Sequence, residues 1–207
     1  MSKPKGSSSG WKARQERDPY VKMARRDGWR SRAVFKLEQI LEKERLLRPD
    51  MICIDLGAAP GGWSQYVAEK LKGRGRILAL DLLPMDALPQ VEFIQGDFAE
   101  EAVLNDLLQR LGADRADLVL SDMAPNISGN KAVDQPRSIY LVELALDLAG
   151  KVLGKKGSFV CKLFQGEGTD AVVADARRAF ERVKIVKPAA SRPGSSEIYL
   201  VARNYRL

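Results

Sequence analysis

Histidine is missing from the 207 residues altogether, and cysteine occurs only at positions 53 and 161. Without histidine, Ser-His-Asp and Cys-His catalysis and most zinc sites are excluded. Two cysteines, each flanked by apolar residues, provide neither a disulfide framework nor a metal cluster, so we expect no metal. No apolar run reaches the roughly 18 residues of a membrane helix, and the start lacks the apolar segment of a secretory signal. We therefore expect a cytoplasmic protein.

The positive charge of the chain is concentrated near its start. The 34 Lys and Arg outnumber the 27 Asp and Glu, for a net charge of +7. Residues 1–48 hold 14 basic and 6 acidic residues, whereas residues 49–207 hold 20 and 21. Aromatic residues are interleaved in the basic segment, and aromatic rings stack on nucleic-acid bases. This pattern favours a nucleic acid as partner over the alternative of a solvated basic tail.

Composition divides the chain into three parts. Residues 1–10 are rich in Ser, Gly and Lys, and we expect a disordered basic tail. Residues 11–48 predict a basic helical extension, with one helix starting at Asp18-Pro19 and a longer one capped by Ser31. Residues 49–207 predict the main domain.

Within this domain, short apolar runs alternate with amphipathic stretches. The runs predict strands over 51–57, 76–82, 91–98, 117–123, 158–164, 183–189 and 197–203. The stretches predict helices near 63–72, 100–111, 137–153 and 170–182. Such alternation indicates a parallel sheet covered on both faces, and the short link before the last strand permits only antiparallel pairing. The expected fold class is α/β, a Rossmann-like methyltransferase fold with a mostly parallel seven-stranded sheet, one antiparallel edge strand and helices on both faces.

A glycine-rich turn follows the first predicted strand and suggests a cofactor site. Gly57 and Gly61 have neither the G-x-G-x-x-G spacing of a dinucleotide site nor the G-K-[ST] ending of a P-loop. Asp81 can accept both hydroxyls of a ribose, and Asp97 can accept from an adenine amine. An acidic rim also suits the cationic sulfonium of S-adenosylmethionine better than a pyrophosphate. The rim residues are Asp55, Asp81, Asp97 and Asp122.

Four charged residues lie where the surrounding pattern is apolar or where a strand ends. Lys162 interrupts the run SFVCKLF, Asp122 ends a strand, Glu197 opens the last one, and Lys36 lies in the second helix. Taken singly, each has an ordinary explanation, such as a lysine whose end reaches water. Cys161 adjoins Lys162 in a strand and therefore points to the opposite face, as a core residue rather than a nucleophile.

Together, the segments SRAVFKL, DLGAAPGGWSQYV, DLLPMD, QGDF, SDMAPN, SFVCKLFQGEG and SSEIYLVA resemble the FtsJ/RrmJ family. The resemblance spans about residues 11–203 and makes 49–207 a methyltransferase domain. It implies S-adenosylmethionine-dependent 2′-O-methylation of RNA ribose, most similar to the bacterial branch acting on a uridine of 23S rRNA in the large subunit. The family's K-D-K-E tetrad corresponds to Lys36, Asp122, Lys162 and Glu197. Its cofactor contacts correspond to Gly61, Trp63, Asp81, Asp97 and Asp122, beside Gly57 of the same turn.

The resemblance implies that Lys162 deprotonates the 2′-hydroxyl. Because a neighbouring carboxylate stabilises the charged form of a lysine, our hypothesis is that Asp122 orients Lys162 and the methyl donor, and that Glu197 holds Lys36 or the ribose. Two alternatives stay open: an enzyme acting on tRNA or an mRNA cap, and a non-catalytic ribosome assembly factor. We expect a monomer that binds 23S rRNA within the large subunit. The predicted RNA contacts are Lys12, Arg14, Lys22, Arg25, Arg26, Arg30 and Arg32.

Overall fold

The computed structural model describes residues 17–207, which form one seven-stranded sheet with helices on both faces. The strands are β1 Met51–Leu56, β2 Gly75–Asp81, β3 Val91–Gln95, β4 Ala116–Ser121, β5 Leu153–Phe164, β6 Phe180–Val186 and β7 Glu197–Tyr205. Their spatial order is β3-β2-β1-β4-β5-β7-β6. Strand β7 runs antiparallel to both of its neighbours, and the other pairings are parallel. The predicted fold is therefore confirmed, with the antiparallel strand inserted just inside the edge.

Six helices cover the sheet in the described residues. They are α1 Pro19–Arg26, α2 Val34–Glu44, α3 Gly62–Leu71, α4 Glu101–Leu111, α5 Lys131–Val152 and α6 Thr169–Ala179. Helices α1, α2 and α3 pack on one face, and α4, α5 and α6 on the other, each group with its own hydrophobic cluster. Asp18 caps α1 as predicted, since its side chain accepts from the backbone N–H of Tyr20.

Helix α2, which lies in the predicted basic extension, belongs to the packed core. In α2, Val34, Leu37 and Ile40 are at most 1% exposed and share a hydrophobic cluster with β1, β4, β5 and β7. The apolar spacing that predicts this helix is therefore the face that it buries. Residues 1–10, and the part of the extension before residue 17, lie outside the described residues.

Two elements are longer than the sequence predicts. Helix α5 starts at Lys131 rather than 137, because the Asn130 side chain caps it and Pro136 lies in its second turn, where it removes one backbone hydrogen bond. Strand β5 starts at Leu153, which pairs with Ala116, and the register shifts before Ser158 pairs with Leu118. Three extra residues of β5 lie between these two pairs, and Lys156 among them has a φ of 66°.

The alternation of side chains along β5 separates core from site. Cys161 packs in the apolar cluster beneath α4–α6, whereas Lys162 points to the α1–α3 face. Burial raises the pKa of both Cys53 and Cys161 to about 12, as expected for inert core thiols. Within residues 17–207, no helix combines the length and apolar character that crossing a bilayer requires. The same residues contain no group of three acidic or cysteine side chains arranged for a metal ion.

Candidate active site

The order of the strands reverses between β1 and β4, and the loops leaving these two strands border a cleft. The backbone N–H of Asp122 donates to the carbonyl of Leu56 at 3.2 Å, so the two strand ends lie side by side. The cleft is lined by the turn after β1 together with Ser31, Ala33 and Asp122. Ligands of open α/β sheets bind at such a reversal, beyond the carboxyl ends of the strands. This is where the sequence predicts the cofactor.

The glycine turn is tight because it lies directly against the loop that follows β4. Gly57 has φ 72°, and a Cβ there would lie 2.6 Å from Cγ of Met123. Glycine is thus required at this position for both conformation and space. Trp63, at the start of α3, is 3% exposed and donates from Nε1 to the carbonyl of Ala33 at 2.9 Å. Its indole therefore joins the turn to the basic extension.

Asp81 ends β2 as predicted, whereas β3 ends at Gln95 and Asp97 lies in the turn that follows it. Asp81 accepts from the backbone N–H groups of Ala59 and Leu83, both at 2.8 Å, and Asp97 accepts from Ala99 at 2.9 Å. These bonds orient the carboxylates at the rim. A carboxylate has about four acceptor positions, so both side chains retain capacity for ligand hydroxyls or amines.

Asp55 was grouped with the rim carboxylates but lies beneath them. It is 1% exposed, and its Oδ2 accepts from the hydroxyl of Ser64 at 2.7 Å. Its Oδ1 has no hydrogen-bond partner within residues 17–207. Burial raises the pKa of Asp55 from 3.8 to about 7, because the charged form is poorly solvated there. The prediction of an exposed rim acid at this position is wrong, since the side chain faces α3.

The first pair of charged residues brings α2 and β7 together. Nζ of Lys36 lies 2.7 Å from Oε1 and 2.8 Å from Oε2 of Glu197, and both residues are buried. Burial alone raises the pKa of Glu197, but the ammonium of Lys36 outweighs it, and the pKa falls below its ordinary value. Ser191 assists by donating to Oε1 at 2.9 Å. The carboxylate form of Glu197 is therefore favoured.

The second pair connects β4 and β5. Nζ of Lys162 lies 3.2 Å from Oδ1 of Asp122 and donates to the backbone carbonyl of the same residue at 2.6 Å. Across the antiparallel ladder, Lys162 pairs with Tyr199, whose hydroxyl donates to Oδ1 of Asp122 at 3.0 Å. Tyr199 and Lys162 thus contact the same oxygen of the Asp122 carboxylate.

Both pairs occupy one face at one end of the sheet. Glu197 and Tyr199 are two residues apart on β7, so their side chains share a face, and Lys162 is directly opposite Tyr199. Lys162 also contributes to lowering the pKa of Glu197, as expected from a nearby cation. The structure therefore brings together all four tetrad residues from distant parts of the sequence, as two adjacent ion pairs beside the cleft.

Sequence reasoning missed two residues that support these pairs. Tyr199 could have been found from the period of two along a strand, because it follows Glu197 on the same face. Ser191 could not, since its contact with Glu197 depends on the path of the loop between β6 and β7.

The structure places the predicted RNA contacts in different surroundings. Lys22 and Arg25 are exposed on α1, and Arg26 is exposed but pairs with Asp27 at 2.6 Å. Arg32 is largely covered: Nε lies 3.1 Å from Asp18, and Nη2 donates to the carbonyl of Ala190. Arg30 bonds to backbone carbonyls of the protein itself. Two further predicted contacts, Lys12 and Arg14, lie outside the described residues.

Comparison with known proteins agrees with this geometry. Residues 29–205 match the family model described as FtsJ-like methyltransferase. The chain belongs to the FtsJ-like methyltransferase family. The match extends from the link between α1 and α2 to the end of β7, so it includes the cleft and both ion pairs. The protein is accordingly a methyltransferase.

Curated relatives match over nearly the whole chain. A protein of Legionella pneumophila (strain Corby) is 55% identical over 207 residues, covering all of both chains. A protein of Pseudomonas fluorescens (strain Pf0-1) is 52% identical over 200 residues, 97% of this chain and 96% of its own. Both are named ribosomal RNA large subunit methyltransferase E.

Solved structures share the fold. A Plasmodium falciparum protein described as a ribosomal RNA methyltransferase superposes with a TM-score of 0.77 at 30% identity, covering 86% of this chain and 98% of that one. Human methyltransferase-like protein 13 superposes with a TM-score of 0.57 at 16% identity, covering 83% and 80%. The second likeness is one of fold alone.

The methyl donor of this methyltransferase is S-adenosylmethionine, and the cleft fits it. The turn from Gly57 to Pro60 lines the cleft, and the cleft is acidic at Asp122. Carboxylates with free acceptor capacity lie at the end of β2 and just after β3. These features suit a cation with ribose hydroxyls and an amine better than a phosphate group.

Proposed function

We propose that the protein methylates the 2′-hydroxyl of a uridine ribose in 23S rRNA of the large ribosomal subunit. The main support for this proposal is that two ion pairs, Lys36–Glu197 and Lys162–Asp122, lie at the edge of the cofactor cleft. The choice of RNA is supported by the relatives, since proteins at least 52% identical over nearly their full length carry a large-subunit rRNA methyltransferase name.

The cofactor is assigned to residues around the cleft. Gly57 and Gly61 admit its amino-acid end, Trp63 supports the turn, Asp81 accepts the ribose hydroxyls, and Asp97 accepts the adenine amine. Asp122 faces the reacting centre. When bound, S-adenosylmethionine supplies a methyl group on a positively charged sulfur, which is already a good electrophile. The protein therefore has two tasks: to align the 2′-oxygen and to remove its proton.

Lys162 performs the proton transfer in this proposal. With no histidine in the chain, lysine is the available basic group beside the carboxylates. An ammonium cannot accept a proton, so Lys162 first has to release one to solvent in this proposal. Its amine would then accept the 2′-hydroxyl proton at Nζ as the ribose oxygen takes the methyl group, which leaves the donor as a neutral thioether. Asp122, 3.2 Å away, would stabilise the ammonium that this transfer restores. The side-chain carboxylate and the backbone carbonyl of Asp122 together hold Nζ of Lys162 in position.

Lys36 and Glu197 orient the ribose. Glu197 holds Lys36 through both carboxylate oxygens, which leaves the third hydrogen of the ammonium for the ribose or an adjacent phosphate oxygen. Because both residues are buried at the edge of the site, water has little access to this pair. A dry, fixed donor at this position limits the orientations of the nucleotide.

RNA binding is assigned to the basic face of α1 and the segment before it. Lys22 and Arg25 are exposed, and Arg26 is solvent-accessible beside Asp27. Lys12 and Arg14 precede them in sequence. Contacts of this kind go to phosphates, so they provide affinity and salt dependence more than sequence choice.

The test uses labelled methyl donor with large ribosomal subunits, with tRNA and with capped mRNA, followed by digestion of the RNA. We expect label on the large subunit, as 2′-O-methyluridine. Lys162→Ala should abolish transfer while binding of S-adenosylhomocysteine survives, and Lys155→Ala, which removes an exposed lysine from the same strand β5, serves as the matched control. Label on a base, label mainly on tRNA or cap, or wild-type activity in Lys162→Ala would each contradict the proposal. Binding without transfer in the wild type would favour an assembly factor.

A further inference from the structure

Arg30 lies between α1 and α2 and joins two loops of the cofactor cleft. Its Nη1 donates to the carbonyl of Pro60 at 3.1 Å and to that of Asp86 at 2.7 Å, and its Nη2 donates to Ala87 at 2.9 Å. Pro60 belongs to the glycine turn after β1. Asp86 and Ala87 belong to the connection that leaves β2 after Asp81. One guanidinium therefore spans two chain segments that start at different strands.

The guanidinium also packs directly over the turn. Gly61 has φ 104°, and a Cβ there would lie 2.9 Å from Nη1 of Arg30, 2.9 Å from Sδ of Met85 and 3.1 Å from Cδ1 of Leu88. The positive φ favours glycine at 61, and the side chains of Arg30, Met85 and Leu88 pack against the space that a Cβ would occupy. The arginine, the turn and the loop form one packed unit.

The backbone around Arg30 is anchored independently. Its N–H donates to Oε1 of Gln65 at 3.0 Å, and Nε2 of Gln65 donates back to the carbonyl of Gly28 at 3.0 Å. A Cβ on Gly62 would lie 2.9 Å from Cβ of Ser31, so the segment rests against the first turn of α3. These contacts fix the backbone from which the Arg30 side chain reaches the cleft loops.

The number of donors in use limits what else Arg30 can bind. A guanidinium has five N–H donors in a fixed fork, and here both terminal nitrogens face carbonyl oxygens. To contact a phosphate with the same nitrogens, Arg30 would have to release the loops. Its neighbours on α1, such as Arg25, are exposed and carry no such cost.

We propose that Arg30 is a positioning residue of the cofactor site, which clamps the 57–61 turn to the 82–90 loop and so sets affinity for the methyl donor, rather than a phosphate contact. The inference rests on the proposed placement of the cofactor between Gly61 and Asp81. It adds that the basic extension shapes this site directly, so its removal affects cofactor binding as well as RNA binding.

The experiment measures S-adenosylhomocysteine binding by calorimetry on the full chain without RNA. We expect Arg30→Ala to weaken binding by about tenfold to a hundredfold, because three charge-assisted hydrogen bonds are lost. Arg30→Lys retains the positive charge and most of the aliphatic chain but lacks the guanidinium group. Its affinity for S-adenosylhomocysteine should therefore lie between those of the wild type and Arg30→Ala. Arg25→Ala removes the same charge from exposed α1 and should bind within about twofold of the wild type.

Two further measurements separate this role from its alternatives. Hydrogen exchange should accelerate in 57–61 and 82–90 of both Arg30 variants, with the sheet unchanged, and the salt dependence of RNA binding should change more in Arg25→Ala than in Arg30→Lys. Unchanged cofactor affinity with weakened RNA binding would overturn the proposal, as would loss of protection throughout the sheet. If the wild type binds S-adenosylhomocysteine yet fails to methylate rRNA, the proposed function fails while the clamp remains measurable.

Discussion

The two faces of the central sheet are built from the same strands but bury different chemistry. Beneath α4–α6, the cluster is apolar and includes Ile54, Phe159 and Cys161, each at most 1% exposed. On the α1–α3 side, Lys36 and Lys162 are also buried, within the same sheet. Every charged residue that is buried within residues 17–207 lies on this second side. They are Asp18, Lys36, Glu44, Asp55, Lys162 and Glu197.

The two faces of the sheet thus have different roles: one contributes mainly to stability and the other carries the charged groups of the site. A buried charge costs several kcal/mol unless a partner compensates for it, and the partners here come from remote segments. Cys161 and Lys162 are adjacent in sequence, yet one packs among apolar side chains and the other meets Asp122. The apolar face stabilises the sheet, whereas the polar face carries groups that a purely stabilising core would not contain.

The strongest test of this separation replaces the buried ion pair. Glu197→Leu leaves Lys36 buried without its partner and should cost about 3–5 kcal/mol of unfolding free energy. The double variant Lys36→Met, Glu197→Leu should recover to within about 1 kcal/mol of the wild type or exceed it, because apolar pairs often replace buried ion pairs without loss. Methyl transfer should be absent from both. Urea denaturation and a methylation assay check this, and a double variant as unstable as the single one would show that the pair is structural.

The reverse test removes a large side chain from the apolar face. Phe159 is fully buried and stacks on Phe180 with ring centroids 6.3 Å apart. Phe159→Ala should cost about 3–5 kcal/mol through lost burial and the cavity that remains. Turnover per folded molecule and affinity for S-adenosylhomocysteine should stay at wild-type values. A fall in turnover larger than the fall in folded fraction would mean that the two faces are not independent.

The smallest expected effect concerns Asp55 and pH. Its pKa is about 7 in the folded protein against 3.8 ordinarily, so the folded state binds this proton more tightly than the unfolded state does. The free energy of unfolding therefore falls as the pH rises from 3.8, the ordinary pKa, to about 7, the pKa in the folded protein. Between pH 5 and pH 8 this loss amounts to about 2–3 kcal/mol. Asp55→Asn should remove this loss and exceed the wild type in stability above pH 7. Chemical denaturation at pH 5, 6, 7 and 8 measures it, and parallel curves for the two proteins would contradict the assignment.

Local patterns predicted the elements that carry the site. The apolar runs located all seven strands, and Asp18-Pro19 located the start of α1, because caps and periodicity depend on neighbours in sequence. The tetrad and the glycine turn were recognisable because each of their residues lies within a short, contiguous motif, even though the motifs are far apart in the chain. The start of α5 was placed too late because Pro136 resembles a helix start, while the cap at Asn130 is a single side-chain bond.

The amino-acid sequence by itself determined which residues are apolar, where strands and helices form, and which charged groups exist to be used. Only the tertiary structure decided their partners: that Glu197 meets Lys36 rather than open solvent, that Asp55 is enclosed, and that Arg30 turns toward backbone carbonyls. The physical reason is that pairing and burial depend on distances between residues far apart in the chain. These distances arise when both faces of the sheet are packed, and no local propensity encodes them.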